Sequence, residues 1–198
     1  VHPHEADSLD ASVKRMIERG CGNPGVVAVG EIGLDYHYLN SPREDQLAAF
    51  AWQLDLAIEL DLPVVVHNRE SWLDLEDLLS TRQGRVRGVC HSFAEGPTEA
   101  RRVLDMGLHV GISGMVTFKQ ADNIREMAAV LEPDRVLVET DSPFLAPVPH
   151  RGTRNEPSYV PLVGEKLAEI WKKPVEEVAV LSSTGFRELF GVNSNSPV

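Results

Sequence analysis

Glu31, His67, His91 and Asp141 are the side chains through which this sequence could do chemistry, and each lies at or just beyond the end of an apolar run. Residues 26–29 lead into Gly30-Glu31, residues 62–66 into His67, residues 86–90 into His91, and residues 136–138 into Glu139-Thr140-Asp141. Runs rich in β-branched residues read as buried parallel strands. The carboxyl ends of such strands are where α/β proteins keep their site residues. Two imidazoles and two carboxylates suit Zn²⁺, Mn²⁺ or Mg²⁺, and a carboxylate can bridge two ions whereas an imidazole cannot. One histidine beside apolar residues is ordinarily packing, but two at equivalent strand ends point to ligands.

The elements that must position these groups alternate. The sequence predicts a helix over 10–20 with Val13, Met16 and Ile17 on one face and Gly20 as its stop. Ser41-Pro42-Arg43-Glu44 predicts a capping box opening a helix through Leu47, Phe50, Ala51, Leu54 and Ile58. Further helices are expected through Trp72, Leu75, Leu78 and Leu79, over 97–106, and through Ile124, Met127 and Leu131. A Gly-rich strand is expected over 108–115, an ordered surface loop over 143–157, two last helices over 158–171 and 175–190, and a frayed tail over 193–197. Strand then helix, repeated, implies an α/β protein with a parallel sheet. A closed barrel gathers strand ends around one axis, so convergence of the four residues favours a TIM-type (β/α) barrel, with about five of its eight strands in this chain.

A formal net charge of −11 argues against holding nucleic acid by bulk electrostatics. It does not exclude a nuclease, because bound divalent cations supply local positive charge where a phosphate docks. Cys21 and Cys90 have neither metal nor redox spacing and suit a reducing cytoplasm. No apolar run is long enough to span a bilayer.

Taken in order, Gly30-Glu31-Ile32-Gly33-Leu34-Asp35, His67-Asn68-Arg69-Glu70, His91-Ser92-Phe93, Glu139-Thr140-Asp141-Ser142-Pro143 and Arg154-Asn155-Glu156-Pro157 resemble the TatD family of metal-dependent deoxyribonucleases. The similarity runs from Val1-His2-Pro3-His4 to about Gly191, and its specificity lies in the ordered set. The resemblance implies that 1–191 is the C-terminal part of a single metal-dependent hydrolase barrel domain, with 192–198 as a tail. It implies a cytoplasmic deoxyribonuclease, 3′–5′ exonuclease-like, that hydrolyses phosphodiester bonds with metal-activated water. The expected partner is DNA, single-stranded or at its ends, with no membrane involved.

Two divalent ions (Mg, Mn or Zn) are implied for an intact member of the family, and as few as one for this chain. By position, Glu31 matches the bridging carboxylate, His67 and His91 match ligands of one ion, and Asp141 matches a ligand of the other. Glu31 and Asp141 are the expected catalytic carboxylates, Asp141 accepting the proton of the attacking water. The family's His-x-His of the first strand has no counterpart upstream, and His2-Pro3-His4 matches a later segment, so roughly three strands are expected to precede Val1 in an intact protein. Arg69, Arg151, Arg154 and Lys119 lie beyond strand ends or in the long loop as candidate phosphate contacts, joined by His2 and His4. Glu139 reads as a loop brace, and Trp52, Trp72 and Trp171 as packing. The alternatives are a phosphoesterase or lactonase of the same superfamily, and a truncated non-catalytic relative that binds at most one metal.

Overall fold

The computed structural model describes residues 1–192, so the expected tail over 193–197 lies outside the described residues. Two compact units divide the chain: Val1–Cys90, Met106–Leu108 and the described residues from Leu189 on, and then His91–Asp105 with His109–Glu188. The first unit opens with a 3₁₀ segment, Pro3–Ser8, followed by α1 (Ala11–Cys21), β1 (Val29–Asp35), α2 (Arg43–Glu59), β2 (Val64–Arg69), α3 (Trp72–Ser80) and β3 (Gly88–Cys90). β1 pairs with β2 and β2 with β3, both parallel. In the second unit come α4 (Pro97–Asp105), β4 (His109–Ile112), α5 (Asp122–Val130), β5 (Val136–Val138) and α6 (Val160–Trp171), with β4 and β5 again parallel. α7 (Val175–Phe190) is the last helix among the described residues. The class is α/β, as alternation of the two periodicities requires.

Each unit has its own buried apolar set. Ile32, Leu34, Phe50, Leu54, Val64, Val66 and Leu75 are fully buried in the first, and Val103, Val110, Val116, Met127, Val163 and Leu167 in the second. Glycines set the spacing of the first unit's strands. A Cβ on Gly88 would lie 2.2 Å from the Val64 carbonyl oxygen, so only glycine lets β3 approach β2 in this register.

Several local expectations are corrected. Asp10 caps α1 through the Ser12 and Val13 amides, yet none of that helix is buried and Met16 is 59% exposed, so its apolar stripe faces no core in this chain. No capping box forms at α2: Pro42 is the N-cap, without a side-chain hydrogen bond. The Ser41 hydroxyl instead donates to the His4 carbonyl and accepts from the Asp7 amide, joining the 3₁₀ segment to the start of α2. The buried face of α2 includes two polar residues, Gln46 and Gln53, alongside Ala49, Phe50, Leu54, Leu56 and Ala57. The strand expected over 108–115 stops at Ile112, and a 3₁₀ turn, Gly114–Thr117, takes over, where a Cβ on Gly114 would meet the Leu145 carbonyl oxygen at 2.4 Å. The loop after β5 is ordered by polar contacts. Asn155, 2% exposed, donates from Nδ2 to the Phe144 carbonyl at 2.6 Å, and its amide donates to the Pro143 carbonyl. α7 spans the expected range, whereas α6 begins at Val160 after a 3₁₀ turn.

One surface cluster ties α2 to α3. The Tyr36 hydroxyl donates to Asp74 Oδ2, the Arg43 Nε donates to the same oxygen at 2.9 Å, and the guanidinium lies 4.9 Å from the Tyr36 ring centroid. Burial and then the Asp74 acceptor push the Tyr36 phenol up to about 12, while the hydrogen bond from Tyr36, followed by Arg43, holds the Asp74 carboxyl below its usual range. The two contributions have opposite signs in pH. That of Asp74 is present above the unfolded carboxylate pKa and is lost as pH falls through the depressed folded value. That of Tyr36 is full below the ordinary phenol value of 10.0 and is lost as pH rises from there to about 12. Ultraviolet titration is expected to show one phenol ionising near about 12 that is absent from Tyr36→Phe. Asp74→Asn is expected to lower Tm at neutral pH, with the difference from the native chain vanishing in acid.

Candidate metal centre

β1 and β2 build the first cluster through their register. Gly33 is aligned with His67, so on the face shared by alternate residues the imidazole falls between Glu31 and Asp35 of the neighbouring strand. His67 Nδ1 lies 2.9 Å from Glu31 Oε1, and its Nε2 lies 3.0 Å from Asp35 Oδ2. Glu31 is not at the end of its strand, as the apolar run suggested, but within β1, which continues to Asp35. A register shift between Val29 and Ile32, where three steps along β1 match two along β2, accounts for this. Such a bulge re-aims side chains: Ile32 and Leu34 stay in the core while Glu31 turns to the face that carries His67. His67 likewise sits inside β2, two residues before its end.

The 3₁₀ segment brings two more imidazoles to the same place. His4 Nε2 is 2.9 Å from Asp35 Oδ2, and the His2 and His67 ring centroids are 4.9 Å apart. His2 Nε2 lies 4.0 Å from Glu31 Oε1. Burial lowers the His2 pKa, the neighbouring His67 lowers it further, and Glu31 partly offsets both. For His67 burial also disfavours the charge, yet Glu31 and Asp35 prevail and its pKa is raised. For Asp35 burial works toward a higher value, but the amide of Tyr38 together with His4 and His67 outweighs it, and the carboxyl is held low.

Among the described residues, His2, Glu31 and His67 form a group whose potential ligand atoms all lie within 4.8 Å of one another. One carboxylate oxygen and imidazole nitrogens are a fitting donor set for a divalent cation. His2 Nδ1, however, accepts the His4 amide at 3.2 Å, so the neutral ring carries its proton on Nε2, the nitrogen toward Glu31. Glu31 and His67 are thus disposed as ligands and His2 as a hydrogen-bond donor.

In the second unit, His91 follows β3 directly and pairs with two acids after β5. Its Nδ1 is 2.9 Å from Glu139 Oε2 and its Nε2 faces Asp141 Oδ1 at 3.4 Å. Glu139 also accepts the Ser92 amide. A Cβ on Gly111 would lie 2.4 Å from Glu139 Oε1, so the glycine of β4 clears the space the carboxylate occupies. Glu139 therefore has the geometry of a brace on His91, with Nε2 left toward Asp141.

Among the basic candidates, Arg69 stands beside the first cluster, on the Tyr38 ring that lies 5.4 Å from His4. Arg69 stacks over the Tyr38 ring at 4.6 Å, Arg151 over Phe118 at 3.6 Å, and Lys119 and Arg154 are exposed. Trp171 donates from Nε1 to the Ala128 carbonyl at 2.7 Å, in keeping with packing. Asp35 and Gln46 were missed in the sequence, although the strand period of two already puts residues 31, 33 and 35 on one face. Gln46, wholly buried, accepts the Asp35 amide at 2.8 Å and donates to the Asp35 and Ser41 carbonyls at 3.0 and 2.9 Å. Gln46→Ala leaves those groups buried without partners and is expected to cost about 2–4 kcal/mol, read as a fall in the denaturant midpoint.

Residues 1–191 match the family model described as TatD related DNase. The chain is 38% identical to the uncharacterized metal-dependent hydrolase YabD of Bacillus subtilis, covering 96% of this chain and 76% of that protein. It is 35% identical to the 3'-5' ssDNA/RNA exonuclease TatD of Erwinia amylovora, covering 97% and 76%. The crystal structure of YJJV, a TatD homolog from Escherichia coli K12, superimposes with a TM-score of 0.91 at 30% identity, over 98% of this chain and 75% of that one. This likeness bears out the α/β class and is consistent with part of a TIM-type barrel. No helix among the described residues is long and apolar enough to cross a membrane. With a family model over nearly its whole length and relatives of this similarity, the chain belongs to the TatD family of metal-dependent hydrolases.

Proposed function

We propose that this chain acts on DNA as a divalent-metal-dependent deoxyribonuclease, removing nucleotides from the 3′ end of single strands. The observation that carries this reading is the carboxylate–imidazole pair of Glu31 and His67, 2.9 Å apart on adjacent strands and suited to hold a cation. The name of the Erwinia amylovora relative supports the substrate class. A bound divalent cation would lower the pKa of a water molecule and polarise a phosphoryl oxygen. Glu31 and His67 would hold it, and the family positions of His91 and Asp141 assign each of them to metal ligation, Asp141 to an ion other than the one His67 binds. Asp141, with a partly exposed carboxylate, accepts the proton of the attacking water. His2 offers its Nε2 proton to a phosphoryl oxygen, and Arg69, Arg151, Arg154, Lys119 and His4 are assigned to flanking phosphates.

The test is turnover of 5′-labelled single-stranded DNA, small phosphoesters and lactones by the same preparation with Mg²⁺, Mn²⁺ or Zn²⁺. Stepwise shortening from the 3′ end, lost in the Glu31→Ala, Asp141→Ala double variant, is the expected result. Faster turnover of the small esters would replace the nuclease by the phosphoesterase or lactonase reading. A second reading, a chain that binds a single cation without catalysis, is favoured by Glu31 and His67 meeting as one carboxylate–imidazole pair on adjacent strands. Calorimetry showing two tight ions per chain would end that reading.

A further inference from the structure

We propose that Asp35 is a positioning residue that holds the proton of His67 on Nε2, so that Nδ1 is the nitrogen given to a divalent cation beside Glu31, and that it thereby sets the affinity of this cluster for the cation. The proposal rests on the metal-binding part of the reading above and is independent of the substrate. Asp35 has 0% exposure, and its acceptor sites are accounted for. Oδ1 accepts the amides of His37 and Tyr38 at 3.1 and 3.0 Å. Oδ2 meets Nε2 of His67 at 3.0 Å and Nε2 of His4 at 2.9 Å. A carboxylate can only accept, so both rings must place a proton on Nε2. His67 Nδ1 faces a second carboxylate, Glu31 Oε1 at 2.9 Å, and without a cation it donates there as well; a cation taken up beside Glu31 would displace that Nδ1 proton, while Asp35 keeps the one on Nε2. With Nε2–H held by the buried Asp35, the nitrogen that would give up its proton to a cation is Nδ1, the one beside Glu31.

The carboxylate cannot drift to another role. Gln46 clamps the Asp35 backbone at both its amide and its carbonyl, and the two loop amides hold Oδ1. His4 takes its place from the same oxygen, so Asp35 also anchors the 3₁₀ segment that carries His2.

Asp35→Asn makes the decisive variant because its orientation is dictated. The amides of His37 and Tyr38 need an acceptor, so the asparagine oxygen takes the Oδ1 position and its NH₂ takes the Oδ2 position. That NH₂ donates to His67 Nε2, which moves the ring proton to Nδ1 and removes the lone pair from the side of Glu31. Zinc affinity, measured by chelator competition in the full chain, is expected to fall about 10–100-fold, the range typical of losing the hydrogen-bond partner of a ligating histidine. Nitrogen-15 spectra of the zinc-loaded native chain are expected to show His67 protonated at Nε2, and those of Asp35→Asn without zinc to show it protonated at Nδ1. Should Asp35→Asn not fold, the native spectrum alone decides: His67 protonated at Nδ1 with zinc bound overturns the proposal. Unchanged zinc affinity in a folded Asp35→Asn overturns it as well. Both readouts are independent of DNA cleavage, so absence of nuclease activity would count against the proposed function and leave this inference standing or falling on its own.

Discussion

Glu31→Gln is expected to abolish measurable hydrolysis while leaving the fold intact. Replacing one carboxylate oxygen by an amide keeps the shape but removes the negative charge, and with it the strongest cation donor of the first cluster. The expected loss in turnover exceeds the roughly 10–100-fold that removal of a partner merely supporting a ligand costs. Divalent-cation affinity, read by calorimetry, should fall in parallel. Glu31 is about a third exposed at its side chain, so the amide can remain hydrated and Tm should stay close to that of the native chain. His67 gives an internal control, because its Nδ1 would then face an amide instead of a carboxylate and lose one of the two acids that raise its pKa. Full hydrolysis by a Glu31→Gln chain would remove Glu31 from the reaction.

Gly33→Ala is expected to be the most damaging single methyl group in the first unit. Gly33 has φ +140°, a region that side chains disfavour, and a Cβ there would lie 2.0 Å from the His67 carbonyl oxygen and 2.9 Å from the His67 amide nitrogen. These are backbone atoms of the paired strand, so no rotamer change can relieve the overlap; β1 and β2 would have to separate. A cost of at least about 3 kcal/mol is expected, visible as a lower denaturant midpoint or as failure to accumulate folded protein. Any folded fraction should also bind cations weakly, because the register that centres His67 between Glu31 and Asp35 is what the methyl group disturbs. Gly164→Ala, where a Cβ meets nothing within 4 Å, serves as the comparison and should be close to neutral or stabilising.

Much of the architecture was legible because it depends on local periodicity. Apolar runs punctuated by glycine and helical repeats such as Leu75–Leu79 in α3 are short-range signals, and the observed elements follow them within a few residues. Where local signals misled, a partner distant in sequence had won. Ser41 bonds to His4 and Asp7 instead of capping α2, and Gln46, which follows Arg43-Glu44-Asp45 in the polar first turn of α2, is drawn inside by the Asp35 backbone.

The residue types of the site, and their family, follow from sequence alone: carboxylates and imidazoles at the ends of buried runs have few other uses. Which nitrogen of His67 meets which acid could not be read there. That depends on a bulge between Val29 and Ile32 and on the pairing of Gly33 with His67, both properties of two strands in register. Periodicity constrains a strand by itself, whereas the choice between ligand and support among Glu31, Asp35, His2 and His67 is made by hydrogen bonds across strands and from the 3₁₀ segment, between residues about 30 or more apart in the chain.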